Sequence, residues 1–164
     1  MPTEKKIISI LNEYHSIEEL PSKWKELVLA ARKMTKQAYA PYSNFYVGAA
    51  LLLENGEVVL GSNQENAAYP SGLCAERVAF FSASANYPNE KIKVVAVSAN
   101  SKDLQLSSPI APCGACRQVM LEYEVKQEED IVVLLTADTG AVYQIAKVKD
   151  LLPFFFSKDA LVKK

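Results

Sequence analysis

The feature that most constrains this chain is a Cys-x-x-Cys pair in the run PCGACRQ at residues 112–118. The run opens a helix-like stretch, so the sulphurs of Cys113 and Cys116 are close enough to share one partner. That partner is either each other, as a redox disulfide, or a soft metal ion. One further cysteine, Cys74, lies in the run CAER at residues 74–77. Three cysteines leave a tetrahedral zinc one ligand short, as in a catalytic site with an open water position.

Glu76 lies two residues past Cys74, near enough to reach such a water without binding the metal. A glutamate in the first turn of a helix is usually explained by the helix dipole, but its place beside a zinc cysteine favours a role in proton transfer. Cys74 and Cys113 both precede predicted helices, whose N-terminal N–H groups stabilise thiolates. Three thiolates give the site net negative charge, and Arg77 is the candidate cation that offsets it, with Gln118 as a weaker donor to the sulphurs.

The two cysteine runs resemble the zinc motifs of the cytidine deaminase family, in the Cys₃ form of the zinc nucleobase deaminase signature. Three more stretches resemble that family: YSNFYVGAAL at residues 42–51, NQENAAY at residues 63–69 and LLP at residues 151–153. The matches run in the family's order from about residue 38 to residue 156 and cover most of the chain. No single run is specific, whereas the combination is.

The resemblance implies one Zn²⁺ per chain, held by Cys74, Cys113 and Cys116. It implies hydrolytic deamination of cytidine and deoxycytidine to uridine and deoxyuridine, in pyrimidine salvage. A zinc-bound hydroxide would attack C4 of the base, while Glu76 would take the proton of the water and deliver it to the base and the leaving amine. One carboxyl can serve each of these steps.

The resemblance also implies substrate contacts. Asn63 and Glu65 resemble the family's ribose-binding pair, and alternate residues at the end of a strand point the same way, so both can reach one sugar. Phe45 is expected to pack on the pyrimidine ring. The backbone N–H of Ala75 and the carbonyl of Ala111, where the family more often has serine, are expected to hold the edge of the base.

The aromatic run at residues 154–156 is an apolar end that a monomer would expose, and exposed apolar patches tend to be contacts. By resemblance the chain is expected to form a homotetramer whose active sites are completed by neighbouring subunits. In that arrangement Phe156 reaches a neighbour's pocket and packs on the base bound there.

The pattern of elements predicts an α/β fold. Apolar residues at helical spacing predict a helix from Ser22, its expected N-cap, to about residue 38. The pair Asn55-Gly56 predicts a hairpin turn between two strands. The other predicted helices and buried strands alternate along the chain, which is typical of one mixed sheet with helices packed on it. They lie at residues 75–85, 94–97, 114–123 and 131–135. The resemblance implies a five-stranded sheet in a three-layer α/β/α sandwich.

The 164 residues predict a single domain. We expect a catalytic deaminase domain at residues 21–164, preceded by an N-terminal extension at residues 1–20. A net charge of −1 does not favour nucleic acid or an anionic membrane as a partner. No apolar run approaches the ~20 residues of a membrane span, and three cysteines fit a reducing compartment better than a disulfide framework. These features predict a cytoplasmic protein.

Three alternatives stay open. A thiol oxidoreductase would use Cys113 and Cys116, but this leaves Cys74 and Glu76 unexplained. A structural zinc module that binds partners or RNA would need a fourth protein ligand, and His15 is the only histidine in the chain. A deaminase of another substrate, such as a nucleoside antibiotic or guanine, would be separated by substrate profiling.

Overall fold

The structure, a computed structural model, describes residues 2–106 and 108–161, and its centre is a mixed sheet of six strands. The strands are β1 (Leu11–Tyr14), β2 (Phe45–Leu53), β3 (Val58–Ser62), β4 (Ile92–Ser101), β5 (Val132–Ala137) and β6 (Val142–Ile145). The α-helices are α1 (Ser22–Met34), α2 (Ala75–Asn86) and α3 (Gly114–Gln127). The strand order is β1-β6-β5-β4-β2-β3, in which β4 and β5 pair in parallel and the other pairs are antiparallel.

The sheet is covered by helices on both faces, because alternate side chains of its central strands are apolar on opposite sides. Ala50 and Ala96 belong to the cluster packed under α1. Their neighbours Leu51 and Val95 belong to the larger cluster under α2 and α3. The predicted α/β/α sandwich is therefore confirmed.

Two glycines let helices lie very close to the sheet. A Cβ atom on Gly48 would be 2.1 Å from the carbonyl oxygen of Ala31 in α1. A Cβ atom on Gly61 would be 2.5 Å from the carbonyl oxygen of Ala75, the first residue of α2. The second contact brings the first turn of α2 directly onto β3. This turn carries Glu76, and Cys74 lies immediately before it.

The sheet has six strands rather than the expected five. The additional strand β1 lies inside the predicted N-terminal extension and pairs with β6, and Asn12 donates a hydrogen bond to Gln144 Oε1 at 2.6 Å. A four-residue edge strand with mostly exposed side chains carries no apolar alternation from which to predict it. The division of the chain at residue 20 stays a prediction.

The first helix also differs in its ends. Ser22 is its first residue rather than its N-cap, which is Pro21. The α-helix ends at Met34 and continues as a 3₁₀ turn, Thr35–Gln37, short of the predicted end at about residue 38. The hydroxyl of Thr35 donates to the carbonyl of Arg32 at 2.8 Å, a local bond that competes with the helical pattern.

None of the helices within the two described ranges has the length and apolarity that crossing a bilayer requires.

We predict that Gly48→Ala destabilises the fold. The new methyl group would clash with backbone atoms of α1 and force the helix away from the sheet, at a cost of about 1–3 kcal/mol. Urea unfolding at fixed protein concentration measures the change. Gly114→Ala is the matched control, because no atom outside its own neighbourhood lies within 4 Å of a Cβ at that position. Equal stability of the two variants would contradict the close approach.

Candidate metal centre and active site

The three cysteines meet where α2 and α3 begin. Cys74 is the residue before α2, Cys113 is the residue before α3, and Cys116 lies in the first turn of α3. Their sulphurs all lie within 4.8 Å of one another. Cys116 is fully buried, Cys74 is half-buried and Cys113 is exposed, so the cluster opens to solvent on one side.

The donor set fits zinc. A Zn–S distance of about 2.3 Å in a tetrahedron places sulphurs about 3.8 Å apart, so small side-chain rotations would let all three bind one ion. No histidine or carboxylate of the described residues joins the group. His15, the fourth ligand that one alternative would need, is exposed just past β1. A zinc ion held here would keep one position for water, as catalytic sites do.

The cluster favours negative charge on sulphur. A hydrogen bond from Cys116, together with the guanidinium of Arg77, lowers the pKa of Cys74 to about 5, although burial acts in the opposite direction. The same contact with Cys74, with burial, raises the pKa of Cys116. Arg77 lies 3.8 Å from the Cys74 sulphur through Nη2 and 3.3 Å from the carbonyl oxygen of Gly72. This contact with the Cys74 thiolate raises the pKa of Arg77, which places a permanent cation beside the sulphurs.

Glu76 is nearly fully buried, with 4% of its surface exposed, in the first turn of α2. Burial is the main reason that its pKa is raised, and the charge of Cys74 adds to the effect. The carboxyl therefore holds a proton more readily than a surface glutamate does. Its position between the thiols and an adjoining cleft suits a group that receives a proton and passes it on.

The cleft has a volume of about 710 Å³ and lies beside the cysteines. Its lining includes most of the residues that the sequence analysis selected: Phe45, Asn63, Glu65, Cys74, Glu76, Arg77, Ala111 and Cys113. Tyr46, the neighbour of Phe45 in the sequence, does not line the cleft. Alternation along β2 turns this side chain to the other face of the sheet, where its ring lies 5.1 Å below Lys102 Nζ.

Asn63 joins the cleft to the start of β2. Its side-chain oxygen accepts a hydrogen bond from the N–H of Val47 at 2.8 Å, and its Nδ2 donates to the carbonyl of Phe45 at 2.9 Å. The amide retains one further donor hydrogen and one acceptor lone pair. It can therefore hold the backbone under the Phe45 ring and still bind a ligand.

Glu65 is fixed by three donors. The backbone N–H groups of Tyr42 and Ser43 donate to its Oε2 at 2.9 and 3.3 Å, and the Ser43 hydroxyl donates to its Oε1. Desolvation acts to raise the pKa of Glu65, but these hydrogen bonds outweigh it and hold the pKa below its usual value. The carboxylate is charged at neutral pH, and the backbone N–H groups of residues 42 and 43 fix its orientation.

Four predicted residues lie outside the lining of the cleft, namely Ala75, Cys116, Gln118 and Phe156. Ala75 is buried as the first residue of α2, and its N–H donates no hydrogen bond to another described residue. Gln118 donates from Nε2 to the carbonyl oxygen of Phe156 at 2.9 Å, rather than to a sulphur. Phe156 itself is 58% exposed, on the surface of the chain.

Ser43 and Arg117 are parts of the site that the sequence analysis missed. Ser43 holds Glu65 from two atoms, and Arg117 holds the backbone carbonyl of Pro112, next to the first cysteine of α3. Both residues lie inside the runs at 42–51 and 112–118, so those runs already contained them. Only the fold shows which partner each one has.

A sandwich with three thiols beside a buried glutamate in a cleft defines the class of zinc-type nucleobase deaminases. The sequence profile described as "Cytidine and deoxycytidylate deaminase zinc-binding region" matches residues 21–133. Cytidine deaminase of Sporosarcina psychrophila is 42% identical over 136 residues, 83% of this chain and 93% of that protein. Cytidine deaminase of Halalkalibacterium halodurans is 41% identical over 133 residues, 81% of this chain and 93% of that protein.

A crystal structure of cytidine deaminase from Burkholderia pseudomallei superposes with a TM-score of 0.68 at 44% identity, over 80% of this chain and 97% of that one. The chain therefore belongs to the cytidine deaminase family. Membership makes it a hydrolase and leaves the thiol oxidoreductase alternative without support.

We predict that the purified protein carries one zinc per chain. Cys113→Ser should lose most of it, because two thiolates and a hydroxyl are a much poorer donor set for Zn²⁺. Elemental analysis measures the zinc content, and Glu76→Gln is the matched control because it changes a buried neighbour of the site without removing a ligand. Metal-free wild-type protein with a disulfide between Cys113 and Cys116 would contradict this assignment.

Proposed function

We propose that this enzyme hydrolyses cytidine and deoxycytidine to uridine and deoxyuridine, as free nucleosides, in cytoplasmic pyrimidine salvage. The observation that carries the proposal is one cleft in which the thiol cluster and buried Glu76 lie at one part and the fixed carboxylate Glu65 at another. A metal–water end and a sugar-binding end are what hydrolytic deamination of a nucleoside needs. The proposed catalytic unit is residues 21–164, with residues 1–20 as an extension.

Zinc bound by Cys74, Cys113 and Cys116 would supply a Lewis acid that makes a water molecule acidic at neutral pH. Glu76 accepts one proton of that water and donates it to N3 of the cytosine ring, while the oxygen of the water adds to C4. The same carboxyl then moves the remaining proton of the new C4 hydroxyl to the amino group, so that the C4–N bond breaks, ammonia leaves and C4 becomes a carbonyl. Burial keeps this carboxyl out of contact with bulk water, which would compete for the proton.

The base and the sugar have separate partners. Phe45 supplies a face against which the pyrimidine ring packs. The N–H of Ala75 and the carbonyl of Ala111 offer a donor and an acceptor to the edge of the ring. Asn63 and Glu65 take the ribose, with the charged carboxylate of Glu65 accepting from the 3′-hydroxyl.

We predict that Glu76→Gln keeps its zinc and loses activity by about 10²–10⁴-fold, the usual effect of removing a general acid–base group. The amide fills the same volume but cannot carry a proton between water and base. Steady-state turnover of cytidine, with zinc content measured on the same samples, tests this. Near-normal turnover in the zinc-loaded variant would rule out this proton-transfer role.

Glu65 is also expected to disfavour the binding of substrates that carry a 3′-phosphate. A 3′-phosphate removes the hydroxyl donor and places negative charge against a carboxylate whose pKa is already held low. The repulsion is several times stronger in a partly desolvated pocket than in water. The net charge of −1 gives a nucleic acid strand little compensating attraction. No residue of the proposal contacts the 2′-position, so cytidine and deoxycytidine should be used alike.

We predict comparable turnover of cytidine and deoxycytidine, and far slower turnover of cytidine 3′-monophosphate and of a cytosine-containing single strand. Glu65→Gln should weaken cytidine binding and relax the rejection of the 3′-phosphate, since the hydrogen bond weakens and the repulsion disappears. Rates on all four substrates under one set of conditions give the comparison. Equal rates on the strand and on cytidine would contradict the role proposed for Glu65. Activity on another nucleobase alone would favour the alternative of a deaminase with a different substrate.

We further propose that four copies of the chain assemble and that Phe156 of each packs on the base in a neighbour's cleft. The support is the exposed aromatic end, in which Phe154 is 83% and Phe156 is 58% exposed. We predict that light scattering gives a particle of four chains at assay concentration. A fully active monomer would contradict the assembly.

A further inference from the structure

The segment after β6 lies along α3 and is held there by three polar side chains of that helix. Glu124, buried with 6% of its surface exposed, accepts hydrogen bonds from the N–H groups of Val148 at 2.7 Å and Lys149 at 2.9 Å. Arg117 donates through Nη1 to the carbonyl of Leu151 at 3.0 Å. A third contact follows at the end of the segment, from Gln118 to the carbonyl of residue 156 at 2.9 Å.

These contacts give the segment a direction. Residues 148 and 149 are held near the C-terminal half of α3, at position 124, whereas residues 151 and 156 are held near its N-terminal half, at positions 117 and 118. The segment at 148–156 therefore runs antiparallel to α3, towards the end of the helix that carries the cysteines. Its half-buried leucines, Leu151 and Leu152, pack against the larger apolar cluster.

Arg117 differs from the other two because one of the two segments that it holds is the backbone leading into the metal cluster, whereas Glu124 joins the segment to the N–H of Ile131 before β5. Its Nε donates to the carbonyl of Pro112 at 2.8 Å while its Nη1 donates to the carbonyl of Leu151. The guanidinium is a rigid planar fork, so two acceptors bound to it are held at a fixed separation. One of these acceptors is the carbonyl of Pro112, which lies in the sequence between Ala111 of the cleft and the cysteine Cys113.

The bond to Pro112 sets the orientation of the peptide that joins the cleft to the metal cluster. Because a trans peptide is planar, fixing the direction of the Pro112 carbonyl also fixes the N–H of Cys113. The preceding carbonyl, of Ala111, is displayed from the same short run of backbone. Arg117 contacts this run of backbone from outside the cleft, because Arg117 is not one of the residues that line the cleft.

We propose that Arg117 is a positioning residue that locks the 111–113 backbone to the C-terminal segment at 148–156, so that substrate affinity depends on a side chain that touches neither substrate nor metal. The effect on affinity rests on the proposed function, in which the Ala111 carbonyl binds the base and residue 156 reaches a neighbouring site. The mechanical link between the two segments does not rest on it.

Arg117→Lys tests the proposal, because a single ammonium cannot hold two carbonyls in the geometry of a fork. Once the Pro112 carbonyl is no longer held, the 111–113 backbone should lose its hydrogen bond to the base. This loss raises KM for cytidine about tenfold. The value of kcat should stay within about threefold of wild type and zinc at one per chain, since Glu76 and the cysteines are unchanged. A rise in KM without a fall in kcat is the sign of lost binding shared by ground state and transition state.

Arg32→Lys is the matched control. Arg32 also bridges two groups through Nε and Nη2, the carbonyl of Ala137 at 3.0 Å and the hydroxyl of Thr136 at 2.7 Å. It does so from α1, on the face of the sheet that lies away from the cleft. The two variants lose similar bonds, so both should unfold at lower urea concentration, but only Arg117→Lys should change KM.

A readout independent of activity is amide hydrogen exchange. The N–H groups of Val148, Lys149, Asp150 and Leu152 are hydrogen-bonded, and their exchange in the zinc-loaded enzyme should become faster in Arg117→Lys than in Arg32→Lys, in which only the loss of global stability acts on them. Chemical rescue adds a second arm: millimolar ethylguanidinium, but not ethylammonium, should lower the KM of Arg117→Ala.

Equal KM values in the two lysine variants would overturn the proposal, and so would loss of zinc from Arg117→Lys or unchanged exchange at 148–152. If wild-type enzyme does not act on cytidine, the proposed function fails, and the exchange experiment still decides whether Arg117 links the two segments.

Discussion

The meeting of three sulphurs from two separate helices is the constraint on which the rest of the structure depends. Cys74 precedes α2 and the other two cysteines belong to the start of α3, so both helix N-termini must lie side by side on one face of the sheet. Gly61 brings the first turn of α2 against β3 without a side chain between them. The apolar cluster shared by both helices and five strands then holds the two termini together.

Two carboxyls in one cleft are given opposite properties by their surroundings. Glu76 is buried and its pKa is raised, which suits a group that exchanges a proton. Glu65 receives hydrogen bonds from two backbone N–H groups and a hydroxyl, and its pKa is lowered, which suits a fixed acceptor of hydrogen bonds. The proposed mechanism needs this difference, because only one of the two carboxyls should change its protonation state during the reaction.

The third helix serves more than the metal cluster. Cys113 precedes it and Cys116 lies in its first turn, while Arg117, Gln118 and Glu124 bind the segment at 148–156. The aromatic end of that segment is exposed in the single chain. In the proposed assembly, this end would couple the geometry of one site to that of a neighbour's site through backbone contacts rather than through the metal.

Local spacing was enough to predict an α/β fold with helices on a mixed sheet and the hairpin at Asn55-Gly56, and the resemblance of the motif runs implied the three-layer sandwich and the shared zinc of the three cysteines. Each of these depends on residues near one another in the chain or on motif runs with a known order. Contacts between distant residues could not be predicted in the same way. The edge strand β1 forms because β6 offers it backbone partners, although its side chains remain mostly exposed. The partner of Gln118, 38 residues away at Phe156, depends on the path of the C-terminal segment across α3, which tertiary packing decides.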